Sequence, residues 1–530
     1  MNALAGQTLG DVVRFHAMHR PNKPAFETPS GRSVSFGELD RRVDHLCAAL
    51  GRWGLRKGDR VAILSRNRPE YIEIFGASRT GFIVVPLNWR LTEEELSRLL
   101  AHSAPTVLFV DEPYLELIEH LRPRLQGICH FVSLGPARQD WTEYETLTHG
   151  PVGTSVAGSL DRLPGNVANA LPDDVLCLVY TSGTTGLPKG VMLTHRGLMD
   201  NCRASAASLA LTDSDRSLAV LPLFHVGGMW YHLFPCFASG CTTLLLPEFE
   251  PGALLSELAA KKITNVHVVP TMLNAMLNHP QAQTADLSHL RVIFYAASSM
   301  PAELLRRAMH CFRQCGFVQG YGSTEAGMVT ALSVADHVRA SEPEEERLLS
   351  SCGRALPGRE VRIVDGAGVE LPDGQVGEIE THTPGVMVGY WNDAAATARA
   401  MDGDWLRTGD LGYTDDLGYV YLVDRKNDMV VTGGENVYPT EVESYFYEDQ
   451  DVLEAAVFGV PDPQWVERVV AAVVLRPGAQ TTEQALIQRM RSQLSAYKCP
   501  KNIFFTSELP KSGAGKVLRK ELRKRYGANK

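Results

Sequence analysis

An apolar run, ValLeuCysLeuValTyr at 175–180, passes directly into ThrSerGlyThrThrGlyLeuProLysGly at 181–190. A buried strand that empties into such a loop brings backbone N–H groups, hydroxyls and one cation to the end of a sheet, the donor set that phosphate oxygens require. Thr181, Ser182, Gly183, Thr184, Thr185, Gly186 and Lys189 are therefore candidate phosphate-binding residues. The spacing is not GxxxxGK followed by Ser or Thr, because Gly183, Gly186 and Lys189 stand three apart with a proline before the lysine. Standard ATPase and GTPase folds are thereby disfavoured. A polar surface turn is the competing reading of GlyThrThrGly alone, and the full string from 180 to 190 outweighs it.

At 530 residues the chain exceeds a one-core domain of roughly 100–200 residues, so at least two domains are expected. Short β-rich runs at 106–110, 175–180 and 264–269 alternate with longer amphipathic segments, which predicts α/β layers with largely parallel strands. From 357 to 424 the texture changes to Gly-punctuated short strands that read as antiparallel. A new βαβ-like pattern follows. The expected organisation is a large α/β domain over 1–424, built of layered subdomains plus a small β-barrel-like part. A small, mobile α+β domain over 425–530 comes after it, with a hinge near Asn427. The acidic run at 341–347 reads as a solvated loop, and Cys311 and Cys315 as neighbours on one helix face.

Composition removes several classes. The balance of 52 basic and 61 acidic residues, net −9, gives no global attraction for nucleic acid. The ten cysteines form no CxxC pair or zinc-type spacing and read as reduced core residues. No run approaches the ~20 apolar residues of a membrane span, and the longest candidate, Phe75 to Leu87, contains Arg79. The first 22 residues lack a signal-peptide core, and the C-terminal GlyAlaAsnLys is no sorting signal, so the cytosol is the expected location. No integral membrane segment is expected, and homodimerisation is left open.

Further motifs stand at LeuProLeuPheHisValGlyGly (221–228), GlyTyrGlySerThrGlu (320–325) and TrpLeuArgThrGlyAsp (405–410). Others are AspArgLysAsnAspMet (424–429), GlyGlyGluAsnValTyrPro (433–439) and ProLysSerGlyAlaGlyLys (510–516). Together with the 180–190 loop, and in this order, they make the chain resemble the adenylate-forming superfamily: acyl-CoA synthetases, aryl-CoA ligases, nonribosomal adenylation domains and firefly-type luciferases. The resemblance covers nearly the whole chain.

The resemblance implies a two-step reaction. A carboxylate is a poor acyl donor because oxide would have to leave, so ATP first converts the acid to acyl-AMP with release of pyrophosphate. Coenzyme A then takes the acyl group and AMP departs. Aligning two anions and absorbing developing charge calls for cations and fixed donors. By resemblance Lys516 is the principal catalytic residue, reaching the α-phosphate and the acid. Glu325 is the Mg²⁺ ligand, a hard oxygen donor suited to that ion. Thr324 contacts phosphate, and Tyr321 and Gly322 form the adenine-binding loop. Asp410 takes the ribose hydroxyls and Arg425 contacts ribose and phosphate. An N-cap role for SerThrGlu, and a structural salt bridge for Asp410 and Arg425, are the alternatives.

His225 reads as a carboxylate-positioning or gating residue; an ordinary core histidine is the alternative. Gly227, Gly228, Met229, Trp230, Ala296, Ala297 and Gly320 are expected to line the acyl pocket, the glycines leaving room for a sizeable acyl group. Gly433 and Gly434 are expected to face the thioester site once the small domain rotates. Two departures stand out. Asn427 occupies a hinge position that is commonly Asp or Lys, and Val466 replaces a frequent Gly in TrpValGlu (465–467).

The leading reading is an acyl-CoA synthetase for a fatty or aromatic acid. A stand-alone enzyme loading a carrier protein is the nearest alternative, and an attached carrier module beyond residue 530 is not expected. A non-catalytic nucleotide-binding regulator would be signalled by loss of Lys516 or Glu325, and both are in place.

Overall fold

The computed structural model describes residues 8–149, 169–181, 189–426, 428–432, 435–462, 465–491, 494–512 and 515–527. Among these, four sheets organise the chain. In the first, strands Arg60–Leu64, Ile83–Leu87, Val107–Val110 and His130–Ser133 run parallel and are buried along almost their whole length. Continuous Val/Ile/Leu runs take this form when helices cover both faces. Val175–Thr181 joins parallel to Ile83–Leu87 and returns as Lys189–Thr194, antiparallel, with Thr181 directly opposite Lys189. The loop between them, with Ser182, Gly183, Thr184, Thr185 and Gly186, lies outside the described residues. Gly389–Tyr390 closes that edge by pairing with Met192 and Val191.

The second sheet has a parallel centre of Thr242–Leu245, Arg216–Ala219, Asn265–Val268, Val292–Tyr295 and Gly316–Ser323. Gly327–Leu332 folds back antiparallel on the last of these. The strands expected at 106–110, 175–180 and 264–269 are thus present and parallel in layered α/β subdomains. The third sheet, formed by Glu360–Val364, Gly377–His382, Met401–Asp402, Trp405–Thr414 and Val420–Arg425, is antiparallel, as the Gly-punctuated texture predicts.

The fourth sheet contains a long hairpin, Val452–Asp462 with Val466–Leu475. Asn502–Phe505 pairs parallel to the second hairpin strand after the helix Glu483–Arg491. Alternate hairpin residues enter different cores. Ala455 and Val457 pack with Phe446 and Leu486 on one face, while Ala456 and Phe458 pack with Leu509 and Leu522 on the other. This period of two is what a strand covered on both faces requires. At the hairpin end Val466 adopts φ +71°, a left-handed backbone that a β-branched residue takes at a cost of about 1–2 kcal/mol. A glycine would occupy that position without strain.

Two local expectations are corrected. The acidic run is exposed, but Pro343–Ser350 winds into 3₁₀ turns instead of a loop. The helix Ala302–Cys311 ends at its cysteine, so Cys315 does not share its face; their thiols point to the carbonyls of Ala282 and Leu290 respectively.

Candidate active site

The C-terminal ends of the two parallel sheets, the third sheet and the loop before the last helix converge on one region. Asp410 lies within Trp405–Thr414 and faces Arg425 across the antiparallel pair, so it stands mid-strand and not at a strand end. Its carboxylate divides its oxygens. Oδ1 is 3.1 Å from Arg425 Nε, and Oδ2 accepts from the Tyr321 hydroxyl at 2.9 Å. Each oxygen retains acceptor capacity for a sugar hydroxyl. The Asp410 charge holds the Arg425 guanidinium above its usual range, so this cation is permanent.

The segment 320–327 is a tight β-hairpin, which overturns the helix-cap alternative for SerThrGlu. Ser323 Oγ accepts from the Ala326 N–H at 3.1 Å, and the Tyr231 hydroxyl is 3.1 Å from the carbonyls of both Ser323 and Gly327. A Cβ on Gly322 would stand 2.0 Å from the Gly327 oxygen, so only glycine fits this crossing. Thr324 is buried and Glu325 is partly exposed. The Glu325 carbonyl accepts from the Met387 N–H at 2.7 Å, and Tyr390 donates to Oε1 at 3.0 Å. The Tyr390 ring also receives Lys189, whose Nζ lies 4.7 Å from the ring centre. One aromatic side chain thereby joins the candidate phosphate-binding lysine to the candidate metal carboxylate. Tyr390 was missed from sequence; its GlyTyrTrpAsn setting at 389–392 is the available signal.

Lys516 sits in a turn held by Ser512, whose N–H donates to the Lys516 carbonyl at 2.6 Å and whose Oγ accepts from the Lys516 N–H at 3.2 Å. Gly515 makes the turn at φ +78° and packs so that a Cβ would lie 3.1 Å from Val269 Cγ2. The loop is therefore seated over the end of strand Asn265–Val268. Burial, and next the Arg425 charge, lower the Lys516 ammonium to about 8, while Asp410 and Glu325 oppose them. Lys516, Arg425, Asp410 and Glu325 thus share one electrostatic neighbourhood.

His225 starts the short helix that carries Gly227 and Gly228. Its Nδ1 accepts from the Gly227 N–H at 3.2 Å, so the proton of the neutral ring sits on Nε2. Burial lowers its ring to about 4, helped by the Lys516 charge, and the imidazole is neutral at physiological pH. The Gly227 carbonyl, in turn, faces Nδ1 of the buried His267 at 3.0 Å.

The expected pocket glycines differ in role. A Cβ on Gly227 would find only ordinary contacts, 3.5 Å from His225 Nδ1 and 3.9 Å from His267 Cε1. On Gly228 it would meet the Pro222 carbonyl oxygen at 2.5 Å, and on Gly320 the Phe294 ring at 2.8 Å. These two glycines admit backbone and aromatic packing, which corrects the expectation that they leave acyl space. Met229, Trp230 and Ala296 are fully buried, and Ala297 adopts φ +78° in the turn after Val292–Tyr295. Among the expected cofactor and hinge residues, Gly433, Gly434 and Asn427 lie outside the described residues.

Among the described residues no group of three or more His, Cys, Asp or Glu could cage a metal. Mg²⁺ bound to a nucleotide needs no cage, because one carboxylate with phosphates and waters suffices. Glu325, held by Tyr390 through one oxygen, fits that donor set.

Residues 13–391 match the family model described as AMP-binding enzyme, and residues 441–516 match the AMP-binding enzyme C-terminal domain. The chain is 38% identical over 525 residues to a feruloyl-CoA synthase from an Amycolatopsis species, covering 99% of this chain and 100% of that protein. It is 36% identical over 516 residues to an indoleacetate–CoA ligase of Aromatoleum aromaticum, covering 97% of each. The crystal structure of the anthranilate CoA ligase AuaEII in complex with anthranoyl-AMP is similar at a TM-score of 0.87 and 27% identity, covering 98% of this chain and 97% of that one.

Proposed function

Because the chain belongs to the AMP-binding enzyme family, we propose a role for each of its site residues in the two half-reactions of an acid–CoA ligase. The chain is an AMP-forming acid–CoA ligase that uses ATP and coenzyme A and works through an acyl-adenylate. In the first half-reaction the acid's carboxylate oxygen attacks the α-phosphorus and the bond to the β-phosphate breaks, releasing pyrophosphate. In the second, the thiol sulfur attacks the acyl carbon and the bond to AMP breaks.

Lys516 places its charge between the carboxylate and the α-phosphate, and Arg425 supplies a second cation. The observation that carries this assignment is the closed loop, with Lys516 sharing the neighbourhood of Arg425, Asp410 and Glu325. Asp410 accepts ribose hydroxyls, the Tyr321 ring lies against adenine, and the loop with Thr181 and Lys189 at its base holds phosphates. His225 donates through Nε2 to the acid. Mg²⁺ at Glu325 would neutralise charge on the departing pyrophosphate. An aromatic carboxylic acid is the favoured substrate, supported by the aromatic acids named for the feruloyl-CoA and indoleacetate–CoA relatives.

The proposed division falls at residue 424, with the pivot at Asn427. Ion pairs on either side support it. Before the pivot Lys426 Nζ holds Glu378 of the large part at 2.9 Å, whereas after it Asp428 pairs with Arg519 and Arg523 at 3.4 and 3.3 Å. The Thr440 N–H also donates to an Asp424 carboxylate oxygen at 2.9 Å across the pivot, a bond that rotation would break. Among the described residues no helix is long and apolar enough to cross a membrane, and we place the enzyme in the cytosol.

A panel of aromatic and fatty acids tests the reading. Pyrophosphate release should depend on the acid, and acyl-CoA should form only when coenzyme A is added. Pyrophosphate release without any dependence on added acid would contradict it.

A further inference from the structure

The peptide of Gly227 is held between two histidines, and this sets them to opposite tasks. Its N–H donates to His225 Nδ1, which puts the His225 proton on Nε2. Its carbonyl accepts from His267 Nδ1, which puts the His267 proton there and leaves Nε2 with a bare lone pair. That second atom is an acceptor, it is buried, and it has no hydrogen-bond partner among the described residues. His267 is 1% exposed, and its ring packs 4.4 Å from Phe294. Its histidine neighbour His232 offers no relief, because His232 Nε2 is already committed to Asn265 Oδ1 at 2.8 Å. Buried polar atoms are seldom left without a partner, and leaving one costs stability that a ligand can recover.

The position of this acceptor relative to the reacting end is set by strand geometry. Val269, under the Lys516 loop, is the extended residue just past the strand and lies two residues beyond His267, so the two side chains leave the chain on the same face, about 7 Å apart along it. Gly227 lies beside His225 and His267, and its missing side chain leaves ordinary contact space next to both imidazoles. An acid held at the His225 Nε2–H and Lys516 would have Gly227 and His267 beside its body.

Resting on the ligase reading above, we infer that His267 is a specificity-determining residue whose Nε2 accepts a hydrogen bond from an O–H or N–H on the body of the acid, so that the enzyme selects donor-bearing carboxylic acids. Hydroxylated aromatic acids and N–H heteroaromatic acids have this chemistry, with the donor one ring away from the carboxylate. Donor-free acids of the same shape leave the lone pair buried and unpaired. For one such unpaired group the discrimination expected is roughly 10- to 100-fold in kcat/KM.

The test uses matched pairs that differ only in the donor: 4-hydroxycinnamate against cinnamate, indole-3-acetate against benzofuran-3-acetate, and 6-hydroxyhexanoate against hexanoate. Acid-dependent pyrophosphate release is measured for wild type, His267→Leu and His267→Gln. Wild type should favour the donor-bearing member of the pairs it activates. His267→Leu should bring the ratio close to one by slowing the donor-bearing acid and quickening its partner, and His267→Gln, which keeps an acceptor, should restore part of the preference. A wild-type ratio near one, or a preference that survives in His267→Leu, overturns the inference while leaving the ligase reading intact. Pyrophosphate release that ignores every acid defeats the ligase reading and this inference with it. If His267→Leu does not fold, the ¹⁵N resonance of His267 Nε2 in wild type decides: it should move on binding the donor-bearing acid and hold still with its partner, and an equal response to both overturns the inference.

Discussion

Tyr390 donates its hydroxyl to Glu325 Oε1 across 3.0 Å while its ring faces Lys189 Nζ at 4.7 Å. The two-residue strand Gly389–Tyr390 makes this bridge by pairing with Met192 and Val191, next to the end of the phosphate loop. The proposed metal carboxylate and the proposed phosphate-binding cation are therefore both contacted by one side chain that need not touch either substrate.

Tyr390→Phe removes the hydroxyl and keeps the ring. A hydrogen bond to a charged group contributes about 1.5–3 kcal/mol, with partial exposure favouring the lower end. The Mg²⁺ concentration giving half-maximal adenylation should rise roughly tenfold, while ATP binding measured without Mg²⁺ stays the same. Glu325→Gln should raise the Mg²⁺ requirement further, and adding Tyr390→Phe to it should then cost little. Full additivity of the two changes would show that the hydroxyl does not act through Glu325.

The pH profile follows from Lys516. Its ammonium is lowered to about 8, so the charged form is complete below that pH and is lost as pH rises through it. The kcat/KM for adenylation, which reports the free enzyme, should fall on an alkaline limb near 8. In kcat the limb should sit higher, because bound phosphates favour the charged lysine. Lys516→Arg should be slower and lack the limb. An unchanged limb in Lys516→Arg would assign it to another group.

Asn427→Pro fixes φ near −65° at the proposed pivot without altering residues that hold ATP or acid. The two half-reactions should separate, with pyrophosphate release persisting and acyl-CoA formation lost, because the loop of Lys516 is already seated over the site. Wild-type rates in both halves would remove residue 427 as the hinge.

What could be read from sequence was what short, contiguous patterns encode. The string at 175–190 sets an apolar strand directly before the proposed phosphate-binding residues, and the Lys516 segment likewise announces itself by its glycines. The parallel strands were legible because they are unbroken apolar runs buried on both faces. Illegible features depend on partners distant in the chain. Gly228 and Gly320 look like pocket space until the Pro222 carbonyl and the Phe294 ring are found where their side chains would be. Asp410 looks like a strand end because Gly409 precedes it, yet Gly409 turns at φ +73° inside a continuous strand. His267 carries no local signal, since ThrAsnValHisValVal reads as any buried strand, and its free nitrogen appears only once Gly227 is placed beside it.

The central claim is that Lys516 acts on adenylation and not on thioester formation, and separating the halves in Lys516→Ala tests it most directly. Pyrophosphate release from ATP and acid is followed in one arm, and acyl-CoA formation from supplied acyl-AMP and coenzyme A in the other. The account predicts a loss of several orders of magnitude in the first arm, with the second within a few-fold of wild type. Comparable losses in both arms, or an unimpaired first arm, would contradict it.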